Sequence, residues 1–204
     1  MKIFDHLPKE IQQLLVQLEE RDKEERKNAV ETKKRLRQIP RETGEFLFNF
    51  ISSLVQNTND WTGLEIGGSG GYSTIWQGLA LKSAKKGSLK SLEIDEKKVE
   101  LANKNLSAVG LTDYVQLIHT DAKKFVNETK IKFSYVFLDA EKEDYLYYFK
   151  QLEHKVYPGC IWIADNLISH ADDMKEFVNY LDENKHVRYT ILSIGKGLAF
   201  IEVI

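Results

Sequence analysis

The sequence predicts an α/β fold: a seven-stranded, mainly parallel sheet with helices on both faces and one antiparallel hairpin at its C-terminal end. Three observations carry that reading. From Trp61 onward, short β-type runs alternate with helical segments, the pattern of βαβ units. The last two runs are separated only by Gly195-Lys196-Gly197, and a parallel crossover needs about a dozen residues, so this pair must be an antiparallel hairpin. The first run leads into Gly67-Gly68-Ser69-Gly70-Gly71, a glycine stretch of the kind found where ligands bind at the carboxyl ends of parallel strands.

Residues 1 to 38 form a compositional unit, a charged helical extension rich in Glu, Lys, Arg and Gln. Ile11, Leu14, Leu15 and Leu18 fall at helical spacing and predict an amphipathic helix. Glu19 to Arg37 carries many charges and few apolar residues, which suits an exposed helix or a docking segment for a second subunit. Pro40 interrupts the pattern, and the main domain runs from 39 to 204. Its first helix, Glu42 to Val55, sets Phe46, Leu47, Phe50, Ile51 and Leu54 on one face.

The expected strands are Gly63 to Ile66, Leu89 to Ile94, Tyr114 to Ile118, Phe133 to Leu138, Cys160 to Ala164, Tyr189 to Ile194 and Leu198 to Val203. The intervening helices are Tyr72 to Ser83, Glu96 to Val109, Ala122 to Asn127, Glu143 to Lys155 and Asp172 to Glu183. With 204 residues, 42% of them hydrophobic, the chain buries one sizeable core. A formal net charge of −2 steers the molecule as a whole toward neither nucleic acid nor an anionic membrane. The single cysteine, Cys160, lies in an apolar run and is expected to pack as a small buried thiol. No stretch approaches the roughly 18 apolar residues of a membrane span, and the N-terminus lacks the apolar core of a secretory leader. The expected compartment is the cytoplasm.

Four glycines after the first strand allow a sharp turn and a close backbone approach to a ligand. The dinucleotide pattern fits poorly, because Ser73 stands where Gly or Ala is wanted, and no P-loop lysine follows. Glu65, at the strand end, would repel a pyrophosphate but suits a cofactor that carries an ammonium and a sulfonium, as S-adenosylmethionine does. Glu93 ends the second strand, 22 residues after Gly71, where an acid accepts hydrogen bonds from ribose hydroxyls. Asp121 and Ala122 follow the third strand, where an adenine edge commonly rests; Asp121 also suits the cap of the next helix.

Asp139 ends the fourth strand, and Asp165 with Asn166 ends the fifth. If the two strands are neighbours, two carboxylates and an amide oxygen converge above the sheet, a hard-oxygen set that suits a divalent cation such as Mg²⁺. Each residue alone would more simply cap a helix or form a turn.

Glu65-Ile66-Gly67 with Gly71-Tyr72-Ser73, Leu92-Glu93-Ile94, Leu138-Asp139-Ala140-Glu141-Lys142 with Tyr145-Leu146, Ala164-Asp165-Asn166 and Ile194-Gly195-Lys196-Gly197-Leu198 together resemble the cation-dependent O-methyltransferases, including the caffeoyl-CoA and catechol enzymes. The resemblance runs from about Ile39 to Ile204 and implies a Rossmann-like class I methyltransferase. By that resemblance Asp139, Asp165 and Asn166 hold the metal (Mg²⁺, or Mn²⁺ or Ca²⁺ in its place). Glu65, Gly67, Gly71, Ser73, Glu93, Asp121, Ala122 and Asp139 line the methyl donor, S-adenosylmethionine. Lys142 matches the general base, and a neighbouring dication favours the neutral amine that accepts a proton. The resemblance also implies a small hydroxylated acceptor, catechol-like or phenolic, and a homodimer.

The chain departs from the pattern in places. Only about 28 residues separate Asn166 from Gly195, so an acceptor loop is short. Lys196 stands where an acid is usual, His170 lies four residues after Asn166, and Ile39 falls at a variable cofactor contact. Two rival readings remain. Within the same family, a transfer-RNA hydroxyuridine O-methyltransferase would use Lys82, Lys85, Lys86 and Lys90, with Lys123, Lys124, Lys130 and Lys132, as a basic rim. From another class, the chain would be a nucleoside-binding module or a dehydrogenase domain without methyl transfer.

Overall fold

The computed structural model describes residues 2–56 and 61–204. Its centre is a seven-stranded sheet of β1 (Thr62–Ile66), β2 (Ser88–Glu93), β3 (Val115–His119), β4 (Phe133–Leu138), β5 (Val156–Ala164), β6 (Val187–Leu192) and β7 (Leu198–Val203), in the order β3-β2-β1-β4-β5-β7-β6. Strands β1 to β5 pair in parallel, and β7 runs antiparallel to both β5 and β6. The expected architecture is therefore the observed one.

Helices cover both faces: α1 (Lys9–Lys27), α2 (Arg41–Gln56), α3 (Tyr72–Ala84), α4 (Glu96–Ala108), α5 (Ala122–Glu128), α6 (Tyr145–Leu152) and α7 (Lys175–Glu183). Strand β4 shows how period-two alternation feeds both layers. Its Tyr135 and Phe137 join one buried cluster with Trp76 of α3 and Leu47 of α2, while Val136 and Leu138 join the other with Phe149 of α6 and Phe177 of α7. The 1–38 segment contributes Ile11, Leu15, Leu18 and Leu36 to the first cluster. Each such side chain removed from water contributes roughly 1.5–3 kcal/mol.

Several boundaries differ from expectation. The helix expected over 143–155 is a 3₁₀ turn, Lys142–Asp144, followed by α6. Strand β5 begins at Val156 rather than Cys160: its register against β4 shifts between Phe133 and Tyr135, so the stretch containing Pro158 and Gly159 bulges out. A bulge releases the proline from the ladder hydrogen bond it cannot donate. Helix α7 starts at Lys175, after turns through Asp172 to Met174. The charged stretch after Leu18 continues α1 only to Lys27; a turn and the short 3₁₀ helix Thr32–Lys34 then lead toward the sheet.

Register matters most for function. Ile66 pairs with both Leu92 and Leu138, and Leu138 pairs with Ala164. Gly67, Glu93, Asp139 and Asp165 thus leave their strands at one level. Strand order reverses between β1 and β4, the place where a crevice opens above a doubly wound sheet.

Candidate active site

A cleft of about 770 Å³ opens there. One wall comes from the ends of β1, β2 and β3: Gly67, Ser69, Glu93, Ile94, Asp121 and Ala122. The other comes from the ends of β4 and β5 and the β6–β7 turn: Asp139, Lys142, Asn166, His170 and Lys196. The segment around Leu36 and Arg37 roofs it. Ser69 Oγ donates to the Leu36 carbonyl at 2.6 Å, and Arg37 reaches Glu141 with nitrogens at 2.6 and 3.3 Å from its carboxylate oxygens.

On the first wall, Gly67 has a φ of +102°, and a Cβ there would lie 2.3 Å from the Asp139 carbonyl oxygen. Only glycine allows β1 and β4 to abut so closely at the floor. Glu93 is fixed by three backbone N–H groups: Ser69 N donates to Oε2 at 2.8 Å, while Ile94 N and Asp95 N donate to Oε1 at 2.9 and 2.8 Å. It faces the cleft as a preorganised acceptor. Ile94 is 65% exposed and lies on the same wall, an apolar platform for a flat ring. Asp121 accepts from Lys123 N at 2.7 Å and caps α5 as expected, and it also lines the cleft.

Three residues expected at the donor, Glu65, Gly71 and Ser73, do not line the cleft surface. Glu65 is fully buried and does not line the cleft. It accepts from Ser73 Oγ and Gln77 Nε2 on one oxygen, and from Thr74 Oγ1 and Ser91 Oγ on the other, all within 2.6 Å. Burial lifts its carboxyl above the usual carboxylate range, against the pull of the hydrogen bonds from Ser73, Ser91 and Thr74. Ser73 is buried as one of these donors. Gly71 lies behind the loop with φ +89°, pressed against Ala102 of α4. This part of the motif anchors the loop to the first turns of α3. Four hydroxyl and amide donors collected from α3 and β2 are the signal that a lone strand-end acid conceals.

On the second wall, Asp139 and the Asp165-Asn166 pair come together as expected from neighbouring strands. Asn166 Nδ2 donates to Asp139 Oδ1 at 3.0 Å, and Asp165 N donates to the Leu138 carbonyl at 3.0 Å. Asn166 holds a left-handed backbone, φ +74°. Asp165 is fully buried, and neither of its carboxylate oxygens has a hydrogen-bond partner. Burial and then the neighbouring Asp139 charge push its carboxyl well above the usual range. A buried carboxylate left bare beside a second one is the arrangement that a cation relieves. Among the described residues no three His, Cys, Asp or Glu side chains form a metal cluster; the set is two carboxylates and an amide, which fits a hard divalent ion with open positions.

Lys142 Nζ sits 3.2 Å from Asp139 Oδ1, 2.8 Å from the Ala140 carbonyl oxygen and 3.3 Å from the Tyr145 hydroxyl. Tyr145, itself buried, donates to the Leu138 carbonyl at 3.1 Å. The lysine is thus held over the carboxylates by the 3₁₀ turn that the sequence reading merged into a helix. Arg37, which that reading did not single out, completes the mouth; its partner lies 104 residues away, beyond the reach of any local pattern. Ile39 is buried in the apolar core.

Of the lysines expected as a basic rim, Lys123 lines the cleft. Lys82, Lys85, Lys86 and Lys90 lie at the end of α3 and the start of β2, at the opposite end of the sheet. Lys82 donates to the Val109 carbonyl, Lys90 to Gln116, and Lys123 pairs with Asp144 at 2.8 Å. Cys160 is buried, as expected, and burial raises its thiol well above the usual range. Among the described residues, no helix is long and apolar enough to cross a membrane.

Residues 13–204 match the model of a protein family described as O-methyltransferase. The chain is 38% identical over 129 residues to a catechol O-methyltransferase of Niastella koreensis, covering 61% of this chain and 56% of that one. It is 28% identical over 156 residues to a caffeoyl-CoA O-methyltransferase of Populus kitakamiensis, covering 74% and 66%. The chain thus spans between half and two thirds of the length of these two curated relatives. Among solved structures, an O-methyltransferase from Bacillus cereus in complex with SAH superposes with a TM-score of 0.73 at 25% identity, covering 92% of this chain and 90% of that one. The SAH-bound methyltransferase PaMTH1 of Podospora anserina gives 0.81 at 17% identity, covering 97% and 89%, a likeness of fold.

Proposed function

Because the chain belongs to the O-methyltransferase family, we propose that it transfers a methyl group from S-adenosylmethionine to a hydroxyl of a small catechol-like or phenolic acceptor, with a divalent cation, Mg²⁺ in the first instance, at the acceptor end of the cleft. The observation that carries the metal half of this reading is the bare, fully buried carboxylate of Asp165 beside Asp139 and Asn166. These three residues would hold the cation. Bound there, it would lower the pKa of a coordinated hydroxyl and cancel the repulsion between the two carboxylates.

On the donor wall, Glu93 would accept the ribose hydroxyls, Asp121 and Ala122 would edge the adenine, and Ile94 would lie under its plane. The donor supplies an electrophilic methyl on a sulfonium. Asp139 faces the cleft from the β4 end, where its negative charge favours a cation on the cofactor as well as on the metal side. Lys142 Nζ would receive the hydroxyl proton. The acceptor oxygen then bonds to the methyl carbon as the carbon–sulfur bond breaks, which requires the two to be aligned at roughly 3 Å. Glu65 acts one step back: it fixes the start of α3, and so the loop that shapes the donor wall.

A methyl-transfer assay with labelled S-adenosylmethionine and catechol, run with Mg²⁺ and with EDTA, tests the reading. Turnover with Mg²⁺ that disappears with EDTA and in Asp165→Ala is expected. Full turnover in EDTA would refute the metal role. Calorimetry that showed NAD bound in preference to S-adenosylmethionine would refute the donor.

A further inference from the structure

We infer that the acceptor carries an anionic group, in the simplest case a carboxylate, beyond the oxygens that meet Asp139, Asp165 and Asn166, and that Lys196 selects it. This rests on the function proposed above and narrows its substrate class.

The placement of Lys196 is built into the backbone. Ile168 N and Ser169 N donate to its carbonyl oxygen at 3.1 and 3.0 Å, and Leu167 N donates to the Gly197 carbonyl at 3.0 Å. On the other side, Gly195 N donates to Glu42 Oε1 at 3.0 Å. Gly197 has φ +92°, and a Cβ there would come 2.5 Å from Ile168 N, so the hairpin turn is pressed against the residues that follow Asn166. Lys196 therefore stands on a rigid support beside the oxygen triad, half-buried, with its side chain on the cleft wall.

Charge accounting separates it from its neighbours. Lys142 is paired with Asp139, Arg37 with Glu141, and Lys123 with Asp144. Among the described residues Lys196 makes no salt-bridge contact; its charge favours the ionised form of the nearby Asp165, which accepts no hydrogen bond from it. Nor would it be needed to neutralise the two aspartates once a dication lies between them. Lys142 is committed to the hydroxyl proton. Arg35, which also lines the cleft without a salt bridge among the described residues, belongs to the roof beside Leu36. On the acceptor wall this leaves a half-buried ammonium that acts on Asp165 only through its charge and has no ion-pair contact. Such a group is costly until an anion reaches it, and a charge-assisted contact then strengthens binding.

The test compares 3,4-dihydroxybenzoate with its neutral counterpart 3,4-dihydroxybenzyl alcohol on the Mg²⁺-loaded protein, by calorimetric binding and by kcat/KM. The expected result is a preference for the carboxylate of about tenfold or more, as a charged hydrogen bond supplies, weakening as salt rises. Lys196→Met should abolish the preference, Lys196→Glu should reverse it, and Lys196→Arg should keep it. Circular dichroism and S-adenosylmethionine binding verify that each variant is folded. Equal affinity for the two compounds, or a preference that survives Lys196→Met, overturns the selection by charge and leaves the proposed methyl transfer standing. Failure of both compounds to bind or react overturns the acceptor class itself, and the inference with it.

Discussion

Arg37 and Glu141, 104 positions apart in the chain, meet across the mouth of the cleft, a guanidinium nitrogen 2.6 Å from a carboxylate oxygen. The contact joins the segment after the 3₁₀ helix to the loop that carries Asp139 and Lys142. Both side chains are substantially exposed, 34% and 49%, so the pair contributes little to stability, about 1 kcal/mol at most. Arg37→Ala and Glu141→Ala should leave the melting temperature nearly unchanged. Each should speed dissociation of S-adenosylmethionine several-fold, measured by stopped-flow fluorescence. A double variant no faster than either single one would confirm that the two act as one latch.

Asp165 should trade stability for function. No hydrogen bond reaches its buried carboxylate oxygens, and burial with the Asp139 charge pushes the carboxyl up to about 7, so replacing it by a neutral amide relieves on the order of 1–3 kcal/mol. Asp165→Asn should therefore melt higher than the parent without metal. Added Mg²⁺ should raise the melting temperature of the parent and not of the variant. An equal Mg²⁺ shift in both proteins would place the ion elsewhere.

Glu65 should behave as a keystone of the loop. Glu65→Ala leaves Ser73 and Gln77 without this acceptor, Thr74 and Ser91 with only their mutual 3.4 Å contact, and a cavity, which costs about 3–5 kcal/mol. Glu65→Gln, with hydroxyl partners able to turn and donate or accept, should lose far less. Denaturant unfolding measures both. In Glu65→Gln the KM for S-adenosylmethionine should rise more than kcat falls, because the loop that shapes the donor wall is loosened while Lys142 is untouched.

Lys142→Met should lower kcat by about 10²–10⁴-fold, the range of a general base, while S-adenosylmethionine affinity by calorimetry stays within a few-fold. Lys142→Arg, which keeps the charge but gives up no proton, should not restore the rate, and a restored rate would assign the lysine a purely electrostatic role.

Acid stability should depend on Glu19. Burial works against its charge, but hydrogen bonds from Arg41 and Tyr72, and the Arg41 charge, hold its carboxyl below the ordinary value. A carboxyl with a depressed folded pKa contributes stability that is present above the unfolded value, roughly 4.3, and is lost as pH falls through the folded one. Arg41→Met should move the acid-unfolding midpoint to higher pH and cost about 0.5–1 kcal/mol near neutrality for a partly exposed pair. Unfolding followed by circular dichroism between pH 2 and 7 would measure it.

Much of this molecule was legible in its sequence because the signals were local. Period-two runs placed all seven strands, and the two-glycine turn dictated the antiparallel hairpin. Asp139 and Asp165-Asn166 could be paired in advance because consecutive strands of such a sheet are usually neighbours. What escaped were relations between distant residues. Nothing near Glu65 in sequence says that Ser91 from the next strand will join Ser73, Thr74 and Gln77 around it. Nothing near Arg37 names Glu141. The bulge at Pro158 and Gly159 hid the first half of β5, since a turn signal inside a strand reads locally as a loop.

The reversal of strand order between β1 and β4 divides the labour of the cleft. Everything expected to grip the nucleoside hangs from β1, β2 and β3; everything expected to meet the acceptor hangs from β4, β5 and the terminal hairpin. The halves join along the β1–β4 pairing, which closes with Gly67 against Asp139. Under the proposed function, changes in the turn at Lys196 or in the residues after Asn166 would alter the acceptor side without replacing a residue of the donor wall.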